Sequence, residues 1–344
     1  TTKNAFGDDV ITDVVTDSDE NVYVTGFFEN YTTLNGGSNS DITMTAGLQG
    51  ERASFIAKYS QCGDLIWEAH SYGSKDNTSN SIAVDNNNGL VYIVGDLEGM
   101  LQWNSSTLST CSGLTVNAGN WPGGQTNRGY LASFEMLNGC IQDLELVSVN
   151  NFVRCNAIDV NENTGDVFVG GSASSSTIGT DPAAFVCKYS FLSYATPLVT
   201  ELALSNSVTN SKVNDIVYDD QNNILWAIGD FRNGISFSAT NLSTNNWNMQ
   251  DAFLLSYQDN GASFTLSSFR KGSSDIFMSG EGITLDNTTG DIFFTGTYST
   301  NIGIPSAFSY IVNPLAASGT NASYMMKLDV SHGVAWVRSG IVNG

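Results

Sequence analysis

Asn80–Gly95 reads NSIAVDNNNGLVYIVG, and this stretch decides the fold. An apolar run is broken by Asp-Asn-Asn-Asn-Gly, and a second apolar run closes on glycine. Asn, Asp and Gly tolerate the backbone of a tight turn, so the phrase specifies a β-hairpin. The phrase recurs as TDVVTDSDENVYVTG from Thr12, NAIDVNENTGDVFVGG from Asn156, NDIVYDDQNNILWAIG from Asn214 and EGITLDNTTGDIFFTG from Glu281. The closing glycines are Gly26, Gly95, Gly171, Gly229 and Gly296, spaced 69, 76, 58 and 67 residues apart.

A second phrase follows each first one. It runs ASFIAKYSQCGDLIWEA from Ala53, YLASFEMLNGCIQDLEL from Tyr130 and AAFVCKYSFLSYATPLVTEL from Ala183. It returns as DAFLLSYQDNGASFTLSSF from Asp251 and ASYMMKLDVSHGVAWVRSG from Ala322. This too is strand, turn, strand. Repeats of four short strands point to a radial propeller before a sandwich. The expected fold is therefore an all-β, five-bladed β-propeller with four antiparallel strands per blade. It forms one domain over 1–344, with blades near 11–75, 76–150, 151–206, 207–275 and 276–344. Long loops are expected between the second and third strands, near 29–51, 98–128, 172–182, 232–250 and 298–321, where function or decoration concentrates. The chain is expected to start on an innermost strand and end on an outermost one, so that no blade mixes strands from both termini.

The pattern of Asp17 to Gly26 followed by Phe55 to Trp67 resembles the β-propeller repeat of bacterial and archaeal cell-surface and secreted proteins, the SBBP-type repeat, in versions found in Bacteroidota. The resemblance covers nearly the whole chain and implies an extracellular or cell-surface location. It speaks to fold more than to function. Repeats two and three depart from it by lacking the tryptophan of the last strand.

Charge narrows the partners. Lys and Arg total 13 against 34 Asp and Glu, a net charge of −21. No basic stripe exists to neutralise phosphates, so nucleic acid and anionic membrane surfaces are disfavoured. No apolar run approaches the roughly 18 residues that span a bilayer. The five cysteines form no Cys-x-x-Cys pair beside histidines, so a zinc site is not expected. Cys187 in FVCKYS reads as a buried thiol, whereas Cys62, Cys111, Cys140 and Cys155 fall at turns or strand edges where disulfides can form.

Candidate sites each have a plain structural alternative. Thr12, Asn80, Asn156, Asn214 and Glu281 open the inner strands and are expected at one mouth of the central channel. Such a ring could hold a sugar or an ion, or satisfy the backbone of the innermost strands. Asp13, Asp215 and Glu281 are the carboxylates a glycoside hydrolase could use, although their places in the repeat differ. Asp17 and Asp19, within Asp-Ser-Asp-Glu-Asn, offer oxygens to calcium, yet hairpin turns need such residues anyway. Trp121 and Trp247 stand in insertions without counterparts and suit stacking on sugar rings. Trp103 instead aligns with Phe237 and reads as packing. Two histidines, His70 and His332, without a nucleophile in an elbow context, give no catalytic triad.

The reading that follows is a non-catalytic surface or secreted module for adhesion, ligand display or assembly, with a filament subunit among its forms. No cofactor beyond calcium is expected, and the partner is a surface glycan, a protein or the chain itself. A lectin-like carbohydrate binder is the alternative, and a glycoside hydrolase stands behind it.

Overall fold

The computed structural model describes residues 7–48, 50–104, 111–119, 128–147, 152–174, 182–190, 196–202, 210–237, 240–243, 250–274, 277–299, 302–303 and 321–340. These are all-β, with no helix among the described residues. Within each repeat the strands pair in sequence order, first to fourth. Sheet I comprises Val10–Thr16, Val22–Glu29, Arg52–Tyr59 and Leu65–Gly73. Sheet II comprises Asn77–Asp85, Leu90–Leu97, Arg128–Glu135 and Ile141–Leu146. Sheet III runs Phe152–Asn161, Asp166–Ser174, Ala183–Tyr189 and Val199–Leu202. Sheet IV runs Ser211–Asp219, Ile224–Arg232, Gln250–Asp259 and Phe264–Ser274. Sheet V runs Gly282–Asp286, Asp291–Ser299, Asn321–Leu328 and Val334–Gly340; the short strand Phe277–Met278 pairs with both Gln250–Asp259 and Asp291–Ser299, so the strands of repeats four and five form one continuous sheet. Repeats two and three, which lack the outer tryptophan, still form their fourth strands.

The chain divides into two compact units: Thr1–Val169 with Ser175–Ile178 and Tyr189–Pro197, and Gly170–Ser174 with Gly179–Lys188 and Leu198–Gly344. Each unit has a core of its own. In the first, Tyr23, Ile56 and Trp67 of sheet I are buried with Ile82, Val84, Ile93 and Tyr130 of sheet II. In the second, Trp226, Ile228 and Leu254 of sheet IV are buried with Ile283, Phe294 and Met326 of sheet V. The apolar runs do not alternate strictly because sheet faces are covered by other sheets, as their continuous Val, Ile and Phe content requires.

The insertions differ from the expected loops. Three of them fold into short hairpins: Tyr31–Leu34 with Ile42–Thr45, Met100–Asn104 with Leu114–Asn117, and Gly234–Phe237 with Thr240–Ser243. Their apolar residues join the core. Leu34 and Met44 pack with Phe28 and Phe55 of sheet I. Trp103 and Phe237 are both fully buried, as their alignment implies. Strand Met100–Asn104 also pairs with the fourth strand of sheet I, so that the insertion of repeat two extends the sheet before it. Ile302–Gly303 of repeat five does the same to the fourth strand of sheet IV.

Candidate functional site

The residues expected to open the inner strands lie inside or just before them. Ile11 pairs with Gly26 and Asp13 with Thr25, which leaves Thr12 without a cross-strand partner. Asn80 is skipped between Ser79 and Ser81, and Asn214 between Val213 and Asp215. Each is the extra residue of a β-bulge, which bends the strand and re-aims a side chain. The bulge also explains the closing glycines. A Cβ on Gly26 would lie 1.9 Å from the Val10 carbonyl oxygen, one on Gly95 1.9 Å from that of Thr78, and one on Gly229 2.0 Å from that of Lys212. Close backbone approach, not turn conformation, requires glycine there.

The re-aimed side chains reach the following repeat. Thr12 Oγ1 donates to the Ser79 carbonyl at 2.8 Å, Asn80 Nδ2 to that of Cys155 at 2.7 Å, and Asn214 Nδ2 to that of Gly280 at 2.7 Å. In all three the acceptor is the residue immediately before the next bulge position. Asn156 is also engaged. These polar groups therefore act as staples between neighbouring repeats.

The carboxylates have similar duties. Asp13 Oδ2 accepts from Ser81 Oγ at 2.8 Å and from the Ile82 backbone N–H at 2.9 Å. Asp215 Oδ2 accepts from the Ile283 N–H at 2.8 Å. Asp13 and Asp215 thus hold the same place in their repeats, a correction to the sequence reading that set all three acids at different phases. Glu281 alone occupies the bulge position, where it is exposed and accepts from Ser279 Oγ. It borders an open groove of about 520 Å³ on sheet V, lined also by Thr295, Thr297, Ser323, Met325 and Arg338.

Two further acids escaped the sequence reading, Asp96 and Asp230. Each directly follows a closing glycine, and the shared Gly-Asp of VYIVGD and LWAIGD was the available signal. Asp96 Oδ1 accepts from the Cys155 N–H at 3.1 Å, and Oδ2 from Asn80 Nδ2 at 3.3 Å. Its carboxyl is deeply set, although part of the residue still touches solvent. Burial pushes it up to about 7, against the smaller opposing pull of these hydrogen bonds and Arg154. Asp230 receives Asn214 Nδ2 at 2.8 Å and lies 3.6 Å from Lys212 Nζ. Burial raises its pKa too, and Lys212 opposes the rise.

Asp17 is fully committed. Its oxygens accept from the backbone N–H groups of Asp19 and Asn21 at 3.0 and 2.8 Å and from Tyr23 Oη at 3.0 Å, with Lys58 Nζ at 3.3 Å. Burial alone would raise its pKa, but the donors led by Asn21 outweigh it and hold the carboxyl below its ordinary value. This is an Asx-type turn tied to a largely buried ammonium. Among the described residues, no three His, Cys, Asp or Glu side chains converge as a metal cluster. Trp121 and Trp247 lie outside the described residues.

Cys111 and Cys140 form a disulfide, with Cα atoms 5.4 Å apart, tying the second insertion to the outer hairpin of its own repeat. Cys187 is a buried thiol as expected. Cys155 is also a buried thiol, inside Phe152–Asn161 and not at a strand edge; Cys62 is exposed.

No family model matches the chain. An 80-residue stretch is 30% identical to an uncharacterized WD repeat-containing protein, L264, of Acanthamoeba polyphaga mimivirus, and covers 23% of this chain and 6% of that protein. Among solved structures, the chain is similar to one from a nidogen/laminin complex, at 9% identity and a TM-score of 0.41, over 95% of this chain and 79% of that one. The Dos1 propeller gives 9% identity and a TM-score of 0.43 over 97% and 84%. Sqt1 of Chaetomium thermophilum gives 11% and 0.41 over 96% and 86%.

Proposed function

We propose that the five sheets are the blades of a five-bladed β-propeller of the bacterial surface-repeat type, and that this propeller is a non-catalytic extracellular module for adhesion, ligand display or assembly. The observation that carries the reading is the commitment of the bulge residues. Thr12, Asn80 and Asn214 donate to the next repeat, and Asp13 and Asp215 accept from it, so these groups are occupied in holding sheets together. A general acid or base needs a carboxyl that can reach a substrate proton. The Cys111–Cys140 disulfide supports an oxidising location, because such bonds persist outside the reducing cytosol. The net charge of −21 supports a solubilising surface over one that grips phosphate.

The test has two arms. Peptide mapping of the native chain, thiol-blocked at lysis, should recover Cys111 linked to Cys140; free thiols at both would remove the extracellular assignment. A polysaccharide panel should show no turnover, and hydrolysis abolished in Asp13→Asn or Asp215→Asn would replace the reading with a glycosidase.

A further inference from the structure

The turns that close the outer hairpins call for a residue with a left-handed backbone. Repeats one, two and four supply glycine, with Gly63 at φ 86°, Gly139 at 72° and Gly261 at 79°. Repeat five supplies His332, at φ 61°. The turns of repeats one and five share their hydrogen bonds. Gly63 N–H donates to the Ser60 carbonyl at 2.9 Å, and His332 N–H to that of Asp329 at 2.7 Å. Ser60 and Asp329 in return donate to the carbonyls of Asp64 and Gly333 at 2.8 and 2.9 Å. A side chain is uncommon on such a backbone, and where one stands it has a duty beyond the turn.

The imidazole is turned onto sheet IV. Its centre lies 4.8 Å from a ring centre of Trp226, edge to face at 78°. Trp226 is fully buried in the core shared by sheets IV and V, and its indole N–H finds no acceptor among the described residues. The His332 carbonyl accepts from Arg270 Nη1 at 2.8 Å, so backbone and side chain both clasp the neighbouring sheet. Sheets I and II meet at this place without an imidazole. There the Met136 carbonyl accepts from Trp67 Nε1 and Lys58 Nζ, each at 3.1 Å, and a Cβ on Gly139 would lie 2.6 Å from the Trp67 ring.

We propose that His332 is a pH-sensitive clasp between sheets IV and V: the neutral ring holds the outer hairpin of sheet V against Trp226 and Arg270, and protonation loosens it. A neutral imidazole keeps one nitrogen able to accept a hydrogen bond, whereas an imidazolium has donors only. Trp226 and Arg270 are donors as well, so a proton adds charge and a surplus donor to a half-buried site. The charged groups facing the ring are Arg270 from the fourth strand of sheet IV, Asp219 from the end of its first strand, and Asp329 of the turn itself. Both carboxylates favour a charged ring, yet each is engaged by backbone N–H groups of its own turn. Asp219 Oδ1 accepts from Gln221 and Asn222, and Asp329 Oδ1 from Ser331 and Gly333. Burial, and after it Arg270, outweigh the two acids and hold the imidazole below its ordinary 6.5. A base depressed in the folded chain contributes its full stability above pH 6.5 and loses it as pH falls below that value. The clasp is closed at neutral pH and loosens in mild acid. All of its groups lie in one compact unit, so the inference stands on sheets IV and V alone and goes beyond the surface role proposed above.

The test reads the clasp locally, because Asp96 gives the chain a pH dependence of its own. The full chain carries two histidines, His70 and His332, so an NMR titration resolves both. The variant His332→Asn, which suits a left-handed backbone and never takes a charge, assigns them. His332 is expected to titrate below 6.5, with the Trp226 indole signal moving at the same midpoint. Hydrogen exchange over residues 329–337, corrected for the chemical rate, should rise severalfold between about pH 7.5 and about pH 5 and stay flat in His332→Asn. A ring that titrates at or above 6.5 would mean that Trp226 holds the charged form, and it would overturn the proposal. Exchange that is flat in the wild type, or equally steep in the variant, would overturn it as well. Disulfide mapping and the polysaccharide panel read the surface role separately, so either proposal can fail without the other.

Discussion

The carboxylate of Asp13 accepts a hydrogen bond from the backbone N–H of Ile82, 2.9 Å away and 69 residues further along the chain. The same oxygen takes the Ser81 hydroxyl at 2.8 Å. One acid of the first repeat thus closes the bulge of the second. Replacing Asp13 with Ala leaves a part-buried N–H without its acceptor, which costs about 1–3 kcal/mol. The expected result is a lower urea midpoint with an unchanged slope, and Asp215→Ala should behave alike through Ile283. A midpoint unmoved in both variants would show that these acids are not staples.

The two kinds of glycine should respond differently to alanine. Gly89 sits in a turn at φ +67° with open space around its missing Cβ, and Gly95 faces the Thr78 carbonyl oxygen at 1.9 Å. Gly89→Ala should cost about 1–2 kcal/mol for the left-handed backbone. Gly95→Ala must displace a strand and should cost about 3 kcal/mol or more. Thermal melts of the pair check the order, and equal losses would contradict the bulge geometry.

Asp96 makes stability depend on pH. Its carboxyl lies at about 7 in the folded chain against an ordinary 3.8, so the folded state binds the proton more tightly than the unfolded one. The stabilisation is complete below about pH 3.8 and declines as pH rises through 7. Asp96→Asn keeps a neutral side chain in place and should remove that part of the decline. Chemical melts across this range, wild type against variant, provide the check; parallel curves would contradict the assignment.

The disulfide closes a sequence separation of 29 residues. Chain entropy assigns such a loop about 3.6 kcal/mol. The double variant Cys111→Ser with Cys140→Ser should melt lower than the oxidised wild type. Reductant should lower the wild type towards the variant and leave the variant itself unmoved.

The hairpin phrases made the paired hairpins of each repeat and the all-β class legible, because turn residues and apolar runs are local signals. VYIVG after DNNNG can do little but turn and pair. The burial of Trp103 was legible too, through its alignment with Phe237. The staples were not. Thr12, Asn80 and Asn214 looked like polar residues awaiting a ligand, since nothing in a one-dimensional pattern shows that a bulge turns them towards a carbonyl 66 to 75 residues away. Asp96 and Asp230 were hidden for the same reason, as burial of a carboxylate depends on what folds over it.

Local sequence thus determined the repeating hairpins and the residues able to make their turns, because those choices depend on neighbours within a few positions. Tertiary structure decided the work of each polar side chain, the pairing of Cys111 with Cys140, and the packing of the insertions as hairpins. Hydrogen bonds and apolar contacts between distant segments have no meaning until those segments are brought within a few ångströms of each other.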